Sequence, residues 1–174
     1  MPYTDLLRTT VFLTAAEATA LGAIAALATG REEDPTLALV GGAWWLVALV
    51  LGLYLGRPSA AADGVREALT RARTATSLPE ESPARIAAIR LWPIGLTALI
   101  AGILGVVYPG VAAVCAGYAL LVALAMRTRE AAVLGIEQRD GVKFYVVPNS
   151  ALRPIDLVRT PGLRSDRLSA RGAS

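Results

Sequence analysis

Apolar residues in this chain gather into four long blocks, and the charged residues fall almost entirely between them. The first block covers residues 9–29 and holds Glu17 as its only charge; the blocks at 36–56, 91–107 and 109–126 hold none. About 17–25 residues, each rising about 1.5 Å, cross a hydrocarbon core of about 30 Å. All four blocks reach that length, the last two at its lower end. A soluble bundle would show polar positions at a period of 3.6, and blocks two to four show none.

The pattern therefore predicts an all-α membrane protein, a four-transmembrane-helix bundle built as two hairpins. Residues 30–35 join the first pair. Tyr108, Pro109 and Gly110 join the second so tightly that its helices must run antiparallel. Arg8, the apolar stretch and Ala26-Leu27-Ala28 have the outline of a secretory leader. Asp5 offsets Arg8 and Glu17 interrupts the stretch, so residues 9–29 are read as a retained span.

Charge sets the sidedness. Alternation through four spans puts the N-terminus (1–8), the central loop (57–90) and the tail (127–174) on one side, and sixteen of the seventeen Lys and Arg residues lie there. Arg31 alone lies opposite, beside Glu32, Glu33 and Asp34. Loops rich in Lys and Arg are cytoplasmic, which predicts both termini inside. The Ala/Arg-rich composition, with Lys143 the single lysine, suggests a high-GC bacterial genome and hence a bacterial plasma membrane.

The cytoplasmic segments carry their own signals. Arg57-Pro58 stops the second helix, and Asp63 is a candidate N-cap for a helix over 64–76. Val65, Ala68, Leu69 and Ala72 share one face of it, a shape that suits either the lipid headgroup layer or a solvated linker. Residues 77–83 read as a Pro/Glu/Ser linker. In the tail, residues 127–138 continue the fourth helix and Asp140-Gly141 marks a turn. Residues 142–147 and 155–158 read as strands of a small β-hairpin, with a turn at Pro148-Asn149-Ser150. A lone hairpin is marginal in water, so it should pack on the central loop, the membrane, another subunit or a partner. From residue 162 the tail is basic and without an apolar pattern. Its charge follows from sidedness alone, and the adjacent Phe144 and Tyr145 do not make a stacking platform for nucleic acid.

Candidate chemistry is sparse. The chain has no His, its one Cys (Cys115) lies inside the fourth span, and neither phosphate-binding glycine motif occurs. No catalytic, cofactor or metal site is expected, and the protein is read as not an enzyme. Glu17 stands apart, because an intramembrane carboxylate is costly and usually faces the bundle interior or a water path. Counted at about 1.5 Å per residue from the cytoplasmic ends, Glu17, Thr97, Tyr118 and Trp45 lie within about a turn of one level. They are the expected intramembrane polar cluster, with Thr10 and Thr14 near the same face of the first helix. Small residues four apart (Gly52 with Gly56, Ala18 with Gly22 and Ala26, Ala98 with Gly102, Ala101 with Gly105, Ala113 with Gly117) predict close helix packing and a face suited to a homo-oligomer. Trp92 and Pro93 suit an interface anchor, and Trp44 a place against lipid or a neighbour.

Two functions remain in view. One is a non-enzymatic accessory, scaffold or envelope component that touches membrane lipids and docks a protein partner through its tail. The other is a small oligomeric proton- or cation-coupled transporter or channel using Glu17.

Overall fold

The structure is a computed structural model that describes residues 1–30, 35–70, 72–74, 82–147 and 155–161. The connection at 31–34, the turn at 148–150, most of the 77–83 linker and the tail from 162 lie outside the described residues. The element order is α1 (Tyr3–Thr29), α2 (Thr36–Leu55), α3 (Pro58–Thr70), β1 (Arg73–Thr74), α4 (Pro83–Val107), α5 (Pro109–Met126), α6 (Arg129–Asp140), β2 (Val142–Val146) and β3 (Leu157–Pro161).

Four helices are long and apolar enough to cross a membrane. They do not pack as two separate hairpins. α5 is the hub, touching α1, α2 and α4, while the sequence neighbours α1 and α2 meet at few points. Small residues explain the choice. A Cβ on Gly105 would lie 2.6 Å from that of Ala112, so α4 closes on α5 where only hydrogen fits. A Cβ on Gly52 would lie 2.9 Å from Leu124 Cβ, and Ala25, Ala112 and Ala113 are buried together between α1 and α5. Large side chains such as Val106, Leu39 and Leu99 point outward from the bundle.

Two helices run past their apolar blocks at one end. α1 starts at Tyr3, ahead of the apolar block at 9–29, and α4 at Pro83, ahead of the block at 91–107. Pro83 suits a first helical position, where its missing N–H is no loss. These extensions, α3, α6 and the sheet build a second unit, the cap. Its core comprises Tyr3, Leu6 and Leu7 from α1, Val65 from α3, Ile86 from α4, Val133 from α6, Val142, Phe144 and Val146 from β2, and Leu157 from β3.

The cap corrects several expectations. α3 begins at Pro58, so Asp63 lies inside the helix rather than capping it, and the helix ends at Thr70. Residues 73–74 then leave as β1, and the expected hairpin is a three-stranded sheet in the order β1-β3-β2. β1 runs parallel to β3 (Arg73 beside Val158) and β2 antiparallel to it (Phe144 beside Arg159, Val146 beside Leu157). The second strand starts at Leu157, two residues later than its β-branched run suggests. A turn at Arg127 and Thr128 separates α5 from α6, and Gly141 ends α6 in the left-handed region (φ 64°) that spares glycine the Cβ clash. Val65 and Leu69 turn the apolar face of α3 into this core.

Candidate functional site

The four residues expected to cluster are Glu17, Trp45, Thr97 and Tyr118, and three of them are engaged elsewhere. The Thr97 hydroxyl donates to the carbonyl of Ile94 on its own helix at 2.8 Å. Tyr118 is 56% exposed and lays its ring on Trp44, with centroids 5.0 Å apart and planes tilted by 58°. The Trp45 indole N–H donates to the Ala113 carbonyl of α5 at 2.8 Å. Glu17 is half-buried on α1, within electrostatic range of Cys115. The nearby hydroxyls also turn inward to backbone: Thr14 donates to Thr10 and Val11 carbonyls, and Thr10 to Leu6. Such back-bonding lets a hydroxyl sit in an apolar helix without a neighbour's help.

Since none of these donors reaches Glu17, Glu17→Gln is expected to change bundle stability by less than the roughly 1 kcal/mol of an intramembrane hydrogen bond. Thermal unfolding in mild detergent measures this. A loss of several kcal/mol would mean that a partner holds the carboxylate.

The polar interaction that does join helices was missed at the sequence level. Trp44 and Trp45 are adjacent on α2, and their indole N–H groups donate to adjacent carbonyls on α5, Val114 at 3.0 Å and Ala113 at 2.8 Å. Trp44 also covers Gly117, where any Cβ would overlap its ring. A signal for this exists. A charge-free span that carries two indoles and almost no hydroxyls leaves neighbouring carbonyls as the acceptors within reach. Trp45→Phe keeps the ring and removes the bond. It is expected to lower stability by about 1 kcal/mol, read as a lower melting temperature in the same detergent.

At the end of the bundle that carries the cap, the polar groups are mostly paired. Arg8 of α1 grips Glu130 of α6 at 2.6 Å, and the Thr128 hydroxyl donates to the Gly56 carbonyl at the end of α2 at 2.8 Å. β2 is an edge strand, and two of its outward N–H groups are taken from opposite sides. Phe144 N donates to the Glu137 carboxylate and Val146 N to the Met1 carbonyl, each at 2.9 Å. Contacts of this kind blunt an edge against pairing with another chain. Lys143 and Arg159 remain exposed on the sheet, and Ile155 stands exposed beside it. Among the described residues no three His, Cys, Asp or Glu side chains converge as metal ligands.

The cap surface is therefore the candidate site. No protein-family model, curated protein or solved structure matches this chain.

Proposed function

We propose that the protein is a non-enzymatic, multi-pass component of a bacterial plasma membrane that holds a folded docking platform at the cytoplasmic surface. The observation that carries this reading is the cap itself. One buried core draws on the start of α1, the central loop, the start of α4 and the tail, so the described part of the tail packs into a folded unit at the helix ends. That arrangement also puts the N-terminus, the central loop and β3 at one end of the bundle. In the sequence, sixteen of the seventeen Lys and Arg residues belong to the N-terminal segment, the central loop and the tail, a bias that supports a cytoplasmic location for that end.

The transporter alternative draws less support. The hydrogen-bonding groups it would use around Glu17 point to backbone or outward, and the contact of α1 with α4 and α5 is made by Leu21, Ala101 and Ala116.

Extraction from membranes in mild detergent, with cross-linking through Lys143, tests the reading. The expected result is a stoichiometric protein partner attached through the cap. A homo-oligomer that carries a proton-dependent flux in vesicles would overturn it in favour of the transporter.

A further inference from the structure

Because α1 and α2 both pack on α5 but hardly on each other, an open furrow runs between them. It encloses about 620 Å³. Ala15 and Ala18 form part of one wall, Ala116 and Leu120 part of the floor, and Trp45 leans across the inner part to within 3.5 Å of where a Cβ on Gly22 would sit. The end nearest the cap carries the only charge, Arg127. Two other polar side chains line the furrow, and both are already engaged: Thr19 donates to the Ala15 carbonyl and Trp45 to that of Ala113. Arg127 is exposed and makes no ion pair among the described residues.

We propose that this furrow seats one acyl chain of an anionic glycerophospholipid, with the lipid phosphate at Arg127. Three observations select that occupant. The first is length. On the floor, Ala116 and Arg127 are eleven residues apart, or about 16 Å, which is close to the ~15 Å of hydrocarbon in one leaflet. The second is the lining. Apart from the end at Arg127 its walls offer a ligand no free hydrogen-bonding side chain, because Thr19 and Trp45 both donate to backbone carbonyls, and that suits a hydrocarbon chain. The third is charge. An apolar slot with one unpaired guanidinium at its mouth complements a molecule that is apolar along its length and anionic at one end.

The inference rests on the membrane placement proposed above, and the two fail separately. Recovery of the chain in the soluble fraction would sink the placement, whereas a membrane-extracted protein that binds no lipid sinks only the inference.

Native mass spectrometry of the detergent-extracted protein, titrated with phosphatidylglycerol and with phosphatidylcholine of the same chains, supplies the test. Phosphatidylglycerol is expected to bind at one copy per chain, about fivefold tighter than phosphatidylcholine. Arg127→Gln should erase that preference. Ala18→Phe, which fills the furrow, should remove both lipids; Ala15→Phe serves the same purpose if Ala18→Phe does not fold. Val106→Phe, at a position 74% exposed on α4, should bind as the wild type does. Equal binding of the two lipids by the wild type, or full binding by both filled variants, overturns the proposal. So does a dimer that Ala18→Phe abolishes, or competition by glycerol phosphate alone at equal strength.

Discussion

Replacing Phe144 with alanine is expected to open the cap and leave the four long helices in place. Phe144 is 3% exposed and lies in the apolar core that holds the cap's six helix and strand contributors together. Removing a buried phenyl ring costs about 3–5 kcal/mol, a large share of the roughly 5–15 kcal/mol that stabilises a whole domain. The cap is smaller than a typical domain, so the loss should exceed what its remaining contacts supply. Its backbone would fail at the same point, because the Phe144 N–H that donates to Glu137 fastens β2 to α6. Glu137→Ala isolates that second effect and should cost about 1–3 kcal/mol, by leaving the N–H unpaired. Amide exchange across α6 and β2 is the measurement, with helical circular dichroism as the control. Protection should fall in the cap while the helical signal persists. Unchanged protection in Phe144→Ala would show that something other than this core holds the tail in place.

The bundle was far more legible in the sequence than the cap, and the reason lies in what each is made of. A span announces itself locally, since water is excluded along its whole length and every residue must conform. The ends remote from the cap accordingly fall at Thr29 and Val107, as the apolar blocks predict. At the opposite ends α1 and α4 continue as helices past Arg8 and Arg90 into the cap, where polar residues are welcome, so the apolar blocks do not mark where these helices begin. The sheet was legible only at β2, which has its own β-branched and aromatic pattern. Arg73 and Thr74 carry none. They become β1 because the edge of β3, 85 residues further on, accepts them. The expected polar cluster shows a different limit. Counting residues along each helix fixes depth but not the direction a side chain takes. Trp45 turned to a carbonyl of α5, and Tyr118 turned to Trp44.

Small-residue pairs show the same limit in a testable form. The spacing of four marks five candidates, and the structure uses them differently. Gly52, Gly56, Gly105 and Gly117 lie against backbone or rings of a neighbouring helix, Gly102 has open space around it, and Ala18, Gly22 and Ala26 line the furrow instead of a packed contact. Gly56→Ala should therefore behave quite unlike Gly102→Ala. At Gly56 the new methyl would overlap the carbonyl oxygen of Leu124, which is backbone and has no rotamer to move into. The Thr128 hydroxyl bonded to the Gly56 carbonyl holds the same junction, so α2 cannot slide away without breaking that bond as well. The backbone of Gly56, at φ −81°, is one that alanine adopts freely, so the whole penalty comes from the contact. Overpacking of this kind costs about 1–3 kcal/mol. At Gly102 a methyl meets nothing, and the substitution should be neutral or gain up to about 1 kcal/mol of helix propensity. Melting of both variants in mild detergent, followed by the fluorescence of the tryptophans that clamp α2 to α5, should place Gly56→Ala below the wild type and Gly102→Ala at or above it. If both variants matched the wild type, α2 would have to stand off from α5 by more than the thickness of a methyl group, and the α2–α5 clamp described here would be wrong.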